Sequence, residues 1–383
     1  MKLRLTAALG LSAALLLSAC AANEQPAEQE TTAAEETAVA EETTSDDTTT
    51  DEGTADEAPA QVEGNLTGIG SSAMNVAQTN WIAGFQTANP GATVLYSPDG
   101  SGAGRDAFMG GGADFAGSDR AFKPEENVAG AFALCTPESI AYDLPVYISP
   151  IAVIFNVEGV SDLNLTPAVL AGIFAGDITN WNDPAIAELN EGATLPDLAI
   201  TAVHRSDDSG TTENFTDYLN KAAGDVWTNE ADGEWPIEGG EAAKGTSGVV
   251  AAVTNGVGTI GYADASQAGD LSVALVGNEG EFFGPTAADA AAAVEASPVE
   301  EGREEHDLAL EIDRNAPGYP IVLVAYAMAC ADYADDEKAA LVKSYLSYIA
   351  GPEGQEVAAE GAGSAPLSEK LGSQVLAAID AIS

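Results

Sequence analysis

The stretch that decides the fold runs from Leu66 to Asp119 and reads LTGIGSSAMNVAQTNWIAGFQTANPGATVLYSPDGSGAGRDAFMGGGADFAGSD. Short apolar runs alternate in it with helical patterns, and each run ends in a turn rich in Gly and Ser. The pattern predicts strands at 66–70, 92–96 and 113–116 and a helix at 76–88. It also predicts a glycine-rich turn at 100–104, followed by a short helix through Phe108. Strand–turn–helix units at this spacing are typical of a parallel sheet, whose polar turns lie at the carboxyl ends of its strands. The stretch therefore predicts an α/β fold.

The same alternation continues to the carboxyl terminus. It predicts further strands at 151–155, 200–203, 258–262 and 321–329. It also predicts helices at 166–174, directly after 211, at 287–296 and at 336–350. About 320 residues follow Gly64, which is enough chain for two lobes.

Four polar turns follow predicted strands, and three of them open predicted helices. They lie at 68–72, 100–102, 117–119 and 205–211. The amino terminus of a helix presents unpaired N–H groups and the positive end of its dipole, which suits a small oxyanion. A single Ser or Thr at such a place is usually only a helix cap. The recurrence of these turns at strand ends is what indicates a shared anion site.

The amino-terminal segment has the pattern of an export signal. Lys2 and Arg4 precede the apolar run 5–17, and small residues then precede Cys20. This is typical of a secretory signal peptide at 1–19, and it resembles the lipobox in which Cys20 would become the lipidated first residue. An ordinary signal with an incidental cysteine is the alternative. Residues 21–63 contain 14 acidic residues and no Lys or Arg, which predicts a disordered tether over 20–63.

Charge and cysteine content narrow the class of protein further. The 383-residue chain has a formal net charge of −48, which repels nucleic acid and anionic lipid headgroups. Cys135 and Cys330 remain after Cys20, and in an exported protein we expect them to form a disulfide, the alternative being two unrelated buried thiols. His204 and His306 stand far apart without neighbouring Cys or His, so no metal and no cofactor are expected.

Five segments in order carry a resemblance to a known family. They are Gly70-Ser71-Ser72, Gly100-Ser101-Gly102, DFAGSD at 114–119, IFAGDITNWND at 173–183 and RSDDSGT at 205–211. Together they resemble the phosphate-binding subunit of bacterial ABC phosphate importers. The resemblance extends from about Leu66 to the carboxyl-terminal helices and is weakest between about 277 and 317.

The resemblance implies a set of phosphate ligands. Hydroxyl or amide donors would come from Ser72, Ala73, Ser101, Ser209, Gly210 and Thr211. Arg205 would be the single positive charge, held by Asp207, although a surface ion pair is the plainer interpretation of these two residues. His204, at a position that is often basic in the family, is given no ligand role.

Asp119 is the residue on which the choice of anion depends. A carboxylate repels an anion unless that anion carries a proton for it to accept. Phosphate keeps a proton at neutral pH and sulfate has none, so Asp119 would favour phosphate over sulfate. The alternative is a strand-end residue that pairs with Arg120 or caps a helix.

The family resemblance also implies the architecture and the function. We expect a two-lobed periplasmic-binding-protein fold of type II, with the ligand in the cleft between lobes and two crossovers. One lobe would comprise 64–149 plus 319–383 and the other 150–318, which places both Cys135 and Cys330 in the first. The protein is expected to be a lipid-anchored monomer that captures phosphate outside the cell and delivers it to the membrane subunits of an ABC importer.

Two other functions stay open at this point. The protein could bind another tetrahedral oxyanion such as arsenate or sulfate, or it could be a phosphatase-like hydrolase. A hydrolase is disfavoured because the sequence has no Gly-x-Ser-x-Gly elbow and no base near its serines. An adhesive surface protein would leave the polar turns unexplained.

Overall fold

The computed structural model describes residues 61–278 and 280–383. The signal peptide, Cys20 and nearly all of the tether lie outside the described residues, so the predictions about them remain predictions. The described strands are β1 Glu63–Gly70, β2 Gly91–Ser97, β3 Phe115–Ser118, β4 Ala141–Asn156, β5 Asn164–Leu165, β6 Thr201–Arg205, β7 Glu241–Ala243, β8 Thr259–Asp264, β9 Ser272–Val273, β10 Leu275–Asn278, β11 Glu281–Phe283 and β12 Val322–Cys330.

The described α-helices are α1 Asn75–Ala88, α2 Ser101–Met109, α3 Pro167–Ala175, α4 Pro184–Ala187, α5 Gly210–Ala223, α6 Gly245–Asn255, α7 Ala287–Ala296, α8 Asp336–Ala350, α9 Pro352–Ala362 and α10 Glu369–Asp380. Thr166 caps α3 and Pro167 occupies its first turn, as a good helix start requires. Two helices, α7 and α8, have the predicted bounds. The strand predicted at 113–116 is wrong by two residues, since Asp114 uses its side chain to accept a hydrogen bond from the amide of Thr67.

The main sheet has the strand order β2-β1-β3-β12-β4-β8-β6-β7, and β9 also pairs with β4. β1 lies parallel to β2 and to β3, which confirms the parallel unit predicted from the opening stretch. β12 runs antiparallel to both β3 and β4, so the sheet as a whole is mixed. The fold is α/β, as predicted.

The long strand β4 changes partner halfway along its 16 residues. Ala141–Pro150 pairs with β12, and Ile151–Asn156 pairs with β8. All of β4 except Asn156 is buried, including the polar residues Asp143 and Ser149. The change of partner falls beside the predicted lobe boundary, which itself remains a prediction.

Helix α1 packs its apolar face against the carboxyl-terminal helices. Trp81 is fully buried, and its indole Nε1 donates to the carbonyl of Gly354 across 2.6 Å. Phe85 meets the ring of Tyr345 edge to face at 5.1 Å. These aromatic contacts hold α8 and α9 on the side of the sheet that carries α1, and α1 in turn carries one wall of the site described below.

The two cysteines predicted to pair form a disulfide. Cys135 and Cys330 have an S–S distance of 2.00 Å and are 195 residues apart in sequence. Cys330 ends β12, whereas Cys135 lies in the connection between β3 and β4. The bond therefore ties a loop to the centre of the sheet.

The acidic segment between β11 and β12 is anchored by Arg303, whose side chain is 6% exposed. Arg303 donates to the carbonyl of Phe122 across 2.7 Å and to Asp307 across 3.2 Å. Burial and the nearby charge of Asp307 both raise the pKa of Asp143, a fully buried carboxyl that faces Arg303. No helix in the described part of the chain is both long and apolar enough to cross a membrane.

Candidate functional site

Four polar turns meet around Asp119, at the end of β3. Thr211 Oγ1 donates to one carboxylate oxygen of Asp119 across 2.7 Å, and Ser71 Oγ donates to the other. The amide of Asp119 donates to Ser101 Oγ across 3.2 Å, and its carbonyl accepts from Asn214 Nδ2 across 2.7 Å. The turns predicted at separate strand ends are thus brought together in one place.

Asp119 is almost completely buried, with 3% of its surface exposed. Burial raises the pKa of its carboxyl above the ordinary value, because a charged group loses its hydration there. The hydroxyls of Ser71 and Thr211 oppose this rise in pKa, as do the positive charges of Arg205 and Arg105. A group in this setting is suited to share a proton with a ligand.

Arg205 and Asp207 form a buried, two-point ion pair. Nε of Arg205 lies 2.8 Å from Oδ1 of Asp207, and a terminal nitrogen lies 2.5 Å from Oδ2. Burial alone would raise the pKa of Asp207, but the hydrogen bonds and charge of Arg205 outweigh it and hold that pKa below its ordinary value. Only 2% of Arg205 is exposed, so the interpretation as a surface pair is wrong.

The turn that opens α1 supplies two serine hydroxyls. Ser71 Oγ accepts from the amides of Ala73 at 3.2 Å and Met74 at 3.3 Å, so it orders the turn before α1 while it donates to Asp119. Ser72 Oγ accepts from the amide of Thr246 across 3.0 Å. Its oxygen also lies 2.9 Å from the hydroxyl oxygen of Thr246. Each hydroxyl therefore joins α1 to another element of the site.

The amino terminus of α5 forms a second wall. Ser209 is the N-cap, and its Oγ accepts from the amide of Thr212 across 3.2 Å. The amide of Ser209 donates to the carbonyl of Gly233 across 3.0 Å. The next two amides, of Gly210 and Thr211, belong to the first helical turn, where amides have no partner within the helix.

Two glycines are required by close approaches between these walls. A Cβ added at Gly210 would lie 2.7 Å from Cβ of Asp119 and 2.9 Å from Oγ of Ser101. Gly70 has a φ of 148°, and a Cβ there would overlap the carbonyl of Gly117. Side chains at these places would push the polar turns apart.

A network from the acidic segment supports the site from behind. Arg314 is 6% exposed and donates to Asp217 at 2.8 Å, Asn214 at 2.7 Å and the carbonyl of Val322 at 2.6 Å. Because Asn214 in turn donates to the carbonyl of Asp119, Arg314 fixes the amide that joins α5 to β3. The arrangement as a whole can hold a small, partly protonated oxyanion among hydroxyls, helix amino termini and one buried guanidinium.

The amino-acid sequence and the fold both match known proteins. Residues 31–353 match the family model of the PBP superfamily domain. The phosphate-binding protein PstS 3 of Mycobacterium tuberculosis is 38% identical over 325 residues, which cover 83% of this chain and 86% of that protein. The chain belongs to the PstS family, within the PBP superfamily.

Other members and solved structures agree with this assignment. PstS 2 of Mycobacterium tuberculosis is 35% identical over 334 residues, covering 82% of this chain and 86% of that protein. A high-affinity periplasmic phosphate-binding protein (PfluDING) bound with phosphate has a TM-score of 0.67 at 24% identity, over 82% of this chain and 93% of that one. A phosphate-binding protein from Stenotrophomonas maltophilia has a TM-score of 0.67 at 22% identity, over the same shares. These structures share the periplasmic-binding-protein fold with this chain.

All the PstS ligands predicted from sequence are buried, and they lie on the turns that meet here. They are Ser72, Ala73, Ser101, Asp119, Arg205, Ser209, Gly210 and Thr211. Arg120 pairs with Glu126 and Glu213, so the alternative in which it pairs with Asp119 is wrong. His204 stacks on Trp235, and its ring nitrogens face the carbonyls of Arg205 and Gly239.

Sequence reasoning missed several residues of this site. It assigned roles in the first turn to Ser72 and Ala73 and none to Ser71, although Ser71 stood in the quoted motif. It gave the turn at 245–248 no role, whereas Gly245 begins α6 and Thr246 reaches Ser72. The Gly-Thr-Ser-Gly composition of that turn was the available signal. Nothing local indicated Asn214, Arg105 or Arg314, which join the site through distant contacts.

Proposed function

We propose that this protein captures inorganic phosphate outside the cell and delivers it to an ABC phosphate importer. The observation that carries the proposal is the buried carboxylate of Asp119, held between two hydroxyl donors beside the Arg205 guanidinium. The 38% identity to a PstS phosphate-binding protein supports the same function. The protein binds and releases its ligand without changing it chemically.

Asp119 selects an anion that still carries a proton. Asp119 accepts hydrogens from Ser71 and Thr211. On binding, the P–OH group donates to Asp119, and Thr211 turns its hydrogen to a phosphate oxygen. Sulfate offers no proton, so its oxygen would face a buried carboxylate at a cost on the order of several kcal/mol.

Arg205 and the helix amino termini neutralise the remaining charge of phosphate. The guanidinium is held in place by Asp207, which is itself fixed by the amide of Gly245 across 3.0 Å. Ser72, Ala73 and Ser101 would donate from one side of the ligand. Ser209, Gly210 and Thr211 would donate from the other side. Such local donors are needed because the net charge of −48 repels an approaching anion.

Delivery depends on closure of two lobes around the ligand. We assign 64–149 plus 319–383 to one lobe and 150–318 to the other, with β4 and β12 crossing between them. The change of pairing along β4 near Pro150 supports this assignment. The closed form would dock productively on the importer's membrane subunits, with the protein tethered to the outer face of the membrane through lipidated Cys20.

Calorimetric titration of the ligand-free body with phosphate and then sulfate near neutral pH tests the proposal. We expect one-to-one phosphate binding with no sulfate signal, and we expect Asp119→Asn to lose that preference. Asp106→Asn, an exposed aspartate on α2, is the matched control and should bind as wild type does. If sulfate bound as tightly as phosphate, Asp119 would not be a residue that contacts the bound anion. Arsenate as the preferred ligand would make the protein a binding protein for that oxyanion.

A failure to bind any of these anions would overturn the transport function. The hydrolase alternative would then be tested directly with a chromogenic phosphate ester. Release of phosphate at enzyme-like rates would establish it.

A further inference from the structure

Arg105, on α2, places a second guanidinium beside the site. Its side chain is 5% exposed, and one terminal nitrogen donates to Ser118 Oγ across 3.0 Å. The other lies 2.8 Å from a carboxylate oxygen of Asp208. Ser118 immediately precedes Asp119, so Arg105 contacts both the strand end that carries Asp119 and the loop that carries Arg205. The sequence had predicted Arg205 as the single positive charge of the site.

Asp208 is held against α2 by its backbone as well as by its charge. The carbonyl of Asp208 accepts from the amide of Gly102 across 3.2 Å. A Cβ at Gly102 or at Gly233 would overlap the Asp208 side chain. Asp208 therefore fits between two glycines, and this fixes the direction in which its carboxylate meets Arg105.

The charge of Arg105 reaches the residue that selects the anion. Burial raises the pKa of Asp119, and the positive charge of Arg105 is one of the factors that oppose the rise. Arg105 lies about one turn after Ser101 on α2, and Oγ of Ser101 accepts from the amide of Asp119. A change at Arg105 therefore acts on the site through neighbours that touch the ligand.

We propose that Arg105 is a positioning residue for phosphate and that its ion pair with Asp208 is a latch that holds the closed form. This inference rests on the proposed function and on the assignment of Arg105 and Asp208 to different lobes. The pair exists only when α2 and the 205–211 loop are together, so its energy stabilises the closed form alone. A protein that spends less time closed binds its ligand with a proportionally weaker apparent affinity.

A second ion pair between the two assigned lobes provides the control. Lys244 lies 3.3 Å from Asp99, with side chains 65% and 51% exposed. Exposed pairs of this kind contribute little because water and salt screen them. The Arg105 side chain is buried and has a second partner in Ser118, so of these two pairs we expect Arg105–Asp208, and not Lys244–Asp99, to affect binding.

The test is a double-mutant cycle on phosphate affinity with Arg105→Met, Asp208→Asn and the combined variant. We expect each single change to weaken phosphate binding about 10-fold and to speed dissociation, with the combined variant no weaker than the weaker single one. Arg105→Lys should recover part of the loss, and Lys244→Met should stay within about twofold of wild type. Strictly multiplicative losses would overturn the latch, as would an unchanged dissociation rate in Arg105→Met.

Two further measurements distinguish a failure of the latch proposal from a failure to fold and from a failure of the proposed function. Urea unfolding should show that Arg105→Met is folded under the binding conditions. If Arg105→Met is unfolded, Asp208→Asn tests the same ion pair, because the Asp208 side chain is 42% exposed and its replacement disturbs the core less. If the wild type binds no phosphate, the proposed function fails, and small-angle scattering of the ligand-free proteins then decides the latch. A larger radius of gyration in Asp208→Asn than in wild type would support the latch, and equal radii would refute it.

Discussion

Thr211 Oγ1 donates to Asp119 Oδ2 across 2.7 Å, and this bond joins the first turn of α5 to the end of β3. Ninety-two residues separate the two partners in sequence. The bond supplies a hydrogen to a buried carboxylate that would otherwise lack one of its two hydroxyl donors. Both groups are among the predicted phosphate ligands, so the bond couples the two walls of the site.

Replacing Thr211 with Val keeps the shape of the side chain and removes its hydroxyl. We expect phosphate affinity to fall about 10- to 100-fold, since a hydrogen bond to a charged group contributes about 1.5–3 kcal/mol. Calorimetric titration measures the loss, and Thr211→Ser should retain most of the affinity. A Thr211→Val protein that binds within twofold of wild type would contradict the proposed role of the hydroxyl.

Gly210→Ala tests the close approach of α5 to β3. The added Cβ would lie 2.7 Å from Cβ of Asp119, and relieving such overlap costs about 1–3 kcal/mol. We expect phosphate to bind at least about fivefold more weakly, because the walls would be forced apart. Gly248→Ala is the control on α6, since its Cβ would meet only Ala243 at an ordinary 3.6 Å. Equal affinities for the two variants would count against the tight approach.

Arg205→Lys tests the two-point pair with Asp207. Lysine keeps the charge but cannot present two nitrogens in one plane to the carboxylate. We expect phosphate affinity to fall about 10-fold or more, measured by titration at constant ionic strength. Lys123→Arg, an exposed change of the same two residue types, should leave affinity as it is. If Arg205→Lys also left phosphate affinity unchanged, charge alone would explain the role of Arg205.

Loss of the Cys135–Cys330 disulfide should weaken the fold and spare the site. The bond closes a loop of 195 residues, and removal of such a bond costs about 2–5 kcal/mol. We expect the double alanine variant to unfold at lower urea concentration while its phosphate affinity stays within about twofold. Weak phosphate binding by a folded variant would show that the bond also shapes the site.

Asp264 should give the stability a dependence on pH between about 4 and 6. Burial raises the pKa of this carboxyl to about 6, although bonds from Ser266 and from Tyr147 at 3.1 Å oppose the rise. Because the folded pKa is above the unfolded one, the folded form holds the proton more tightly. The contribution of Asp264 to the free energy of unfolding is therefore complete below about pH 4 and is lost as pH rises through 6.

A matched pair of variants isolates this dependence. The free energy of unfolding of wild type relative to Asp264→Asn should fall by about 2.5 kcal/mol from pH 4 to pH 7. Urea unfolding at several pH values measures it, with the exposed Asp270→Asn as control. A constant difference between wild type and Asp264→Asn across this range would show that Asp264 does not titrate there.

Most of the regular structure could be predicted because its signals are local. The opening stretch predicted β1, α1 and β2 to within three residues at each end, since the apolar period and the Gly-rich turns lie within each segment. The helix α2 begins at Ser101, inside the stretch that was predicted as a turn. α7 and α8 followed from alanine content and apolar spacing. The antiparallel placement of β12 could not be predicted in this way, because pairing depends on which strand arrives beside it.

The amino-acid sequence by itself determined which turns carry hydroxyls, amides and charge, because each is a run of a few adjacent residues. Only the tertiary structure decided which donor meets which acceptor. Ser72 and Thr246 are 174 residues apart, and Arg105 and Asp208 are 103 apart, yet each pair is in hydrogen-bond contact. Such contacts depend on the packing of whole helices and strands to within a fraction of an ångström. A single sequence contains no local signal for a distance set by so many other residues.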